Sequence, residues 1–395
     1  MPQETKRPLL PYGRQWIDED DIAAVVETLR SPHLTQGPKV AEFERELCKL
    51  TGARYAVAVN SATSGLHIAC LAAGLKPGDE AIAPPITFVA TTNAVLYCGA
   101  KPVFADIDSD TVLIRPDQVT ARITAKTRAI LPVHFAGQSA NMEALQIIAQ
   151  EAQKKHGHKV YVIEDAAHAI GGRYKDSPIG SCKYSDMAVL SFHPVKHITT
   201  GEGGAVLTND PELYRKLCLF RSHGVTRDDD MIEDHSLLPW GYEQHELGYN
   251  YRITDIQCAL GISQMKKLQR FVERRQEIVR AYDQAFANHW TIHPLVNKES
   301  NGHAYHLYVI RADFEKAGGR NTVMTKLRER GVITQVHYIP VHTQPYYRKH
   351  AGTRHGDHPH AEAHFRQCLS IPLFPSMKNE DVSWVTQSLL TILSG

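Results

Sequence analysis

A mostly parallel, doubly wound α/β sheet followed by a smaller α+β unit is the architecture this chain predicts, on three observations. Short β-branched runs alternate with helical stretches from Arg54 onward, which is the pattern of strand–helix–strand crossovers. The last quarter changes to sparser strands among helices, and 395 residues are too many for one hydrophobic core.

Ahead of the sheet, Ile22, Val25, Val26 and Leu29 recur at helical spacing, as do Val40, Phe43, Leu47 and Leu50, with the Pro32 to Pro38 loop between them. The predicted strands are Tyr55 to Val59, Ala81 to Ala83, Val103 to Ile107, Ala129 to Val133, Val160 to Ile163 and Met187 to Phe192. One long helical pattern then runs from about Thr254 to Ala287, with Ile256, Leu260, Met265, Leu268, Val272 and Ile278 on its apolar side. Beyond it Tyr305 to Arg311 and Thr334 to Tyr338 read as strands, Thr322 to Arg330 and Asp381 to Leu393 as helices. The expected division is therefore 1–275 for the amino-terminal helices and large domain, and 276–395 for the small one.

Composition narrows the function classes. Forty-four basic against 43 acidic residues leave a formal net charge of +1, so nothing draws the chain broadly to nucleic acid or a membrane surface, and any anion site must be local. The seven cysteines, Cys48, Cys70, Cys98, Cys182, Cys218, Cys258 and Cys368, are scattered, odd in number and without a Cys-x-x-Cys pair, as expected of reduced thiols in a cytoplasmic protein. The opening Met1 to Arg7 has no apolar signal region, and no apolar stretch approaches the ~20 residues needed to cross a bilayer.

Two motifs carry chemistry. In Ser191-Phe-His-Pro-Val-Lys196-His-Ile-Thr-Thr-Gly201-Glu-Gly-Gly204 an apolar strand feeds a lysine into a glycine-rich turn. A lysine held in a pocket can shed its proton and condense with an aldehyde, so this reads as the anchor for pyridoxal 5'-phosphate, with Lys196 as the attachment point. The partner lies upstream in Tyr161-Val-Ile-Glu-Asp165-Ala-Ala-His168, where an apolar run ends in two carboxylates. Alone, such an ending also fits a helix cap. Beside Lys196 it fits the acid that keeps the cofactor's pyridine nitrogen protonated, a role for Asp165.

These motifs, together with Leu34-Thr-Gln-Gly37, Asn60-Ser-Ala-Thr-Ser-Gly-Leu66, Gly248-Tyr-Asn-Tyr-Arg252 and Val336-His-Tyr338, resemble the DegT family of sugar-nucleotide aminotransferases nearly end to end. The resemblance implies the type I pyridoxal phosphate fold. Within the family, Ser191 to Lys196, Phe220 to Gly224 and Gln335 to Tyr338 are most similar to the branch that forms UDP-4-amino-4,6-dideoxy-N-acetyl-β-L-altrosamine, a step toward pseudaminic acid. That likeness implies a UDP-linked 4-keto-6-deoxy-N-acetylhexosamine as acceptor, L-glutamate as donor and 2-oxoglutarate as its product. Lys196 argues against the related sugar 3-dehydratases, which carry histidine there. Two alternatives stay open: another keto sugar nucleotide, such as the UDP-4-keto-pentose used in lipid A modification, and a non-catalytic regulatory protein retaining the fold.

The same resemblance assigns the remaining site. Ala62, Thr63 and Ser64, at a helix start directly after a strand, and Ser191 would hold the cofactor phosphate. Phe88 would cover one face of the ring and His168 would lie beside it. Asn250 would reach the phosphate in a neighbouring subunit, which implies a homodimer with shared active sites. Tyr12, His33, Leu34, Thr35, Arg252, His337 and Tyr338 match positions that hold the sugar nucleotide. The histidine-rich stretch from His355 to His364 puts His360 and His364 on one helical face, yet surface loops collect histidines without metal, and no metal is expected. Gly201-x-Gly-Gly204 is not the dinucleotide fingerprint, so NAD is not implied.

Overall fold

The computed structural model describes residues 8–237, 239–298 and 302–394, so the opening heptapeptide lies outside the described residues. Helices α1 (Glu19–Leu29) and α2 (Pro38–Thr51) lead into the sheet. Its strands are β1 (Tyr55–Val59), β2 (Glu80–Ala83), β3 (Lys101–Phe104), β4 (Thr127–Ile130), β5 (Tyr161–Asp165), β6 (Met187–Ser191) and β7 (Gly204–Thr208), in the spatial order β1-β7-β6-β5-β4-β2-β3. Strands β2 to β6 pair with one another in parallel, and β7 runs antiparallel between β6 and the edge strand β1.

Why these residues make a parallel sheet is visible in burial. Val57, Ala58, Val59, Ile82, Ile130, Ile163, Val189, Leu190 and Val206 are buried with essentially no exposure, because helices cover both faces. Those helices include α3 (Ala62–Ala72), α4 (Ala90–Tyr97), α5 (Met142–His156) and α6 (Pro211–Arg221). Sequence reading missed β7, since Gly-Ala-Val-Leu-Thr is short and sits directly behind the glycine turn.

The long helix expected over Thr254 to Ala287 is two helices, α7 (Asp255–Met265) and α8 (Leu268–Phe286). The break has a polar cause. Gln264 donates its side-chain amide to the Trp16 carbonyl at 2.9 Å and to Asp21 Oδ2 at 2.7 Å, and the Lys267 ammonium binds Asp21 Oδ2 at 2.9 Å. Anchoring the segment before α1 bends the chain there, while the apolar spacing runs on through the joint.

A second core gathers Ile278, Val279, Tyr282 and Phe286 of α8 with Tyr308, Ile310, Val323, Leu327, Leu369, Ile371, Val385 and Leu389. They come from a three-stranded sheet (Ile292–Pro294, Tyr308–Ala312, Cys368–Ile371) and from helices α9 (Arg320–Glu329) and α10 (Asn379–Ser394). Thr334 to Tyr338, expected as a strand, is not one. Only Gln335 pairs, exchanging two backbone hydrogen bonds with Ser370, and its own side-chain oxygen then takes the Val336 N–H at 2.8 Å, so no ladder continues. Among the described residues no helix is long and apolar enough to cross a membrane.

Candidate active site

The carboxyl ends of β1, β5 and β6 open on one crevice, the usual ligand position in such a sheet. One transverse row of the sheet runs Ser191, Gly204, Val59, because Gly204 pairs with both neighbours. Glycine is required there for space. A Cβ on Gly204 would lie 2.6 Å from the Ala62 nitrogen and 2.7 Å from the Ser61 carbonyl carbon. With no side chain in between, the first turn of α3 settles against the strand ends beside Ser191.

That turn is built to receive an anion. Ser61 caps α3, its Oγ accepting from the Ser64 N–H at 3.1 Å, and Ser64 Oγ donates to Asn60 Oδ1 at 2.6 Å. The Ala62 and Thr63 amides, first in the helix, have no carbonyl one turn before them and point outward with the positive end of the helix dipole. The segment carrying Asn250 and Arg252 borders the turn: Asn60 N–H donates to the Tyr251 carbonyl at 2.9 Å, and Arg252 bridges to Val59.

Asp165 ends β5, buried. Oδ2 accepts from Thr91 Oγ1 at 2.6 Å and Oδ1 from the Ala167 N–H at 3.2 Å, which fixes the carboxylate plane. Thr91 is itself linked to Thr87 Oγ1 at 2.6 Å. Sequence reading passed over Thr91; its one signal was a second threonine four residues earlier, Thr87, which lies just ahead of α4 while Thr91 sits in its first turn.

Lys196 sits in a loop clamped at its base. Phe192 N–H donates to the Gly203 carbonyl, the Phe192 carbonyl accepts from Thr200 N–H, and the fully buried Phe192 ring packs edge-on against Phe43 at 5.1 Å. The half-buried side chain brings Nζ to 3.4 Å from His306 Nε2. Burial pushes the amine down to about 8; the facing Asp165 carboxylate opposes that shift and the Arg275 guanidinium adds to it. The Asp165 carboxylate thus acts on the Lys196 amine across the crevice.

Around them are His168, His197, His306, His337 and Tyr338. His168 Nε2 lies 3.2 Å from Tyr338 Oη, and its ring is 4.4 Å from that of His306. Burial first, then the Lys196 charge, drives His168 and His306 well below the ordinary imidazole value, and the same pair of causes brings His337 to about 3. Burial and then Asp165 raise the Tyr338 phenol. Tyr12 faces His337 with ring centroids 5.4 Å apart. Phe88 is 59% exposed toward the crevice, its ring 6.4 Å from Tyr338, so it is available to cover a flat ligand.

The predicted substrate residues fall in two groups. Tyr12, His337 and Tyr338 stand with Lys196. Leu34 and Thr35 instead pair with Asp255 and Thr254 at the start of α7, with His33 exposed beside them, while Arg252 lines a hollow of about 280 Å³ with Gln36, Glu44 and Arg221. Asn250 is exposed. In the histidine-rich stretch His360 is exposed, whereas His364 is buried and bonds the His337 carbonyl at 3.1 Å, so the two do not converge. Among the described residues no three His, Cys, Asp or Glu side chains are grouped to hold a metal.

This donor set fits pyridoxal phosphate. It offers an amine of lowered basicity, a fixed carboxylate opposite, an anion-receiving helix start cleared by Gly204, and His168 Nδ1 buried without a protein partner.

A model of the DegT/DnrJ/EryC1/StrS aminotransferase family matches residues 15–390. The spore coat polysaccharide biosynthesis protein SpsC of Bacillus subtilis is 42% identical over 389 residues, covering 98% of this chain and 97% of that protein. Among solved structures, PseC of Helicobacter pylori, an aminotransferase involved in the biosynthesis of pseudoaminic acid, superposes with a TM-score of 0.88 at 33% identity, covering 98% of this chain and 99% of that one. Spr1654 of Streptococcus pneumoniae in its PLP-form gives 0.88 at 31% identity, with the same coverage.

Proposed function

The chain belongs to the DegT/DnrJ/EryC1/StrS aminotransferase family and is a sugar aminotransferase; from that premise we propose that it moves the amino group of L-glutamate to a UDP-linked 4-keto-6-deoxy-N-acetylhexosamine, forming UDP-4-amino-4,6-dideoxy-N-acetyl-β-L-altrosamine. The observation that carries the chemistry is the half-buried Lys196 amine facing the Asp165 carboxylate at the mouth of the sheet. Likeness to PseC over nearly the whole chain supports the acceptor. One second reading has an observation in its favour: the higher identity is with a spore coat polysaccharide protein, which favours a different keto sugar.

Pyridoxal phosphate, when bound, supplies an electron-accepting ring that lets an amino group be taken from one substrate and given to another. Lys196 would anchor it and would move a proton at Nζ; an amine of lowered basicity is a competent base near neutrality. Asp165, held by Thr91 and Ala167, would keep the cofactor's ring nitrogen protonated. Ala62, Thr63, Ser64 and Ser191 would hold the phosphate, Phe88 and His168 would border the ring, and Asn250 would reach the site of a second subunit in a homodimer. Tyr12, His33, Leu34, Thr35, Arg252, His337 and Tyr338 receive the sugar nucleotide, His33 to Thr35 and Arg252 as a group apart from Tyr12, His337 and Tyr338, an arrangement that two subunits sharing a site would complete.

The test is incubation with UDP-linked 4-keto-6-deoxy-N-acetylhexosamine epimers and glutamate, with product stereochemistry read by NMR. Amination at C4 with 2-oxoglutarate released is expected. Turnover of another keto sugar alone, the UDP-4-keto-pentose included, overturns the acceptor assignment; a coloured, active Lys196→Ala protein overturns the site.

A further inference from the structure

Behind Lys196 lies a group that the proposed reaction leaves unused. Arg275, on α8, is fully buried, a rare position for guanidinium. It has no carboxylate partner. Nη1 donates to three main-chain oxygens, those of Tyr305 at 3.2 Å, His306 at 3.1 Å and Leu373 at 2.9 Å, while Nε and Nη2 are buried without a protein partner. A buried cation held only by carbonyl dipoles is costly.

The segment Arg275 grips is itself held from the other side. His306 N–H donates to the Ala136 carbonyl at 2.8 Å and Ala304 N–H to the Gly137 carbonyl at 3.0 Å. Tyr305 at φ 52° and Ala136 at φ 57° lie in the left-handed region, and a Cβ on Gly137, at φ 101°, would come within 2.8 Å of the Tyr305 nitrogen. Such over-determined backbone is retained where a side chain must be aimed. The side chain aimed here is His306, whose Nε2 meets Lys196 Nζ at 3.4 Å.

We propose that Arg275 is a positioning residue for Lys196: through the Tyr305 and His306 carbonyls it ties the 304–307 segment so that His306 aligns the amine. This rests on Lys196 being the anchor lysine. The groups bearing on Nζ are Asp165, which favours its charge, against Arg275 and the histidines His168, His193, His197, His306 and His337, each of which would oppose that charge if protonated. Arg275 is the member of that set whose charge is permanent near neutrality. Burial alone brings it only to about 9.

The experiment uses the full-length chain freed of cofactor. Lys196 modification by trinitrobenzenesulfonate is followed from pH 6 to 11 by peptide mass spectrometry, in wild type, Arg275→Gln and Arg275→Lys. Expected is a wild-type midpoint near 8, a higher midpoint in Arg275→Gln, and return toward wild type in Arg275→Lys, where charge is restored with fewer donors. A merely structural role would alter stability in both variants and leave the midpoint alone. A wild-type midpoint near the ordinary ~10.4 overturns the inference without any variant. So does an unmoved midpoint in folded Arg275→Gln. Borohydride trapping of cofactor on a lysine other than Lys196 instead sinks the anchor assignment, and the two failures are distinct.

Discussion

Replacing Gly204 with alanine tests how the sheet and the helix start are joined. The added Cβ would stand 2.6 Å from the Ala62 nitrogen, 2.7 Å from the Ser61 carbonyl carbon and 2.8 Å from the Ala62 Cα, all backbone atoms that cannot rotate aside. Reaching even a tight 3.4 Å contact requires a displacement of about 0.8 Å. The strand cannot yield, because Gly204 is paired on both sides with Ser191 and Val59. The first turn of α3 must therefore move, taking the Ala62 and Thr63 amides with it. Overpacking of this kind costs about 1–3 kcal/mol of stability. Misaligning amides that meet a dianion forfeits about 1.5–3 kcal/mol of binding, a roughly 10- to 150-fold weaker affinity. The assay is titration of the cofactor-free variant with pyridoxal phosphate and, separately, with pyridoxal, alongside urea unfolding. Wild-type affinity in a folded Gly204→Ala protein would refute the steric argument. An equal loss for pyridoxal would refute the placement of phosphate at this turn.

Four buried histidines make the fold sensitive to acid. Burial holds His303 and His337 to about 3 and His358 and His364 to about 4, whereas the unfolded chain takes up these protons near 6.5. The unfolded state binds more protons throughout that window, so stability is intact above about 6.5 and falls as pH drops toward 4. Unfolding free energies from urea titrations at pH 7 and pH 5 should differ by at least ~2 kcal/mol, with a smaller drop in His364→Gln; a flat profile contradicts the sign. Glu44 and Arg221 form a largely buried pair at 2.6 Å, and Glu44 also accepts the Ala58 N–H at 2.8 Å. Arg221→Met strands the carboxylate and should cost about 3 kcal/mol by urea unfolding, with much of that returned in Glu44→Leu/Arg221→Met; a worse double variant would show that the pair is net stabilising.

The sequence alone determined the sheet class and the six strands that share one direction, and it pointed to Lys196 and Asp165 as the proposed catalytic pair, because near-continuous apolar runs and their abrupt polar ends are local properties of the chain. It also sufficed for the family resemblance, whose motifs in order span nearly all of the matched region. Only the tertiary structure decided the rest. Strand β7 and the break at Lys267 depend on partners distant in the chain, Ser191 and Val59 on either side in one case and Asp18 and Asp21 in the other. Gln335 to Tyr338 carries strand-like residues, yet its ladder is stopped by the one residue that Ser370 can reach. Arg275 and His306 had no distinguishing local signal, and Thr91 had only a second threonine four residues before it. Their roles arise from which surface the fold turns toward Asp165 and Lys196, and that is set by packing between elements that no spacing along the chain encodes.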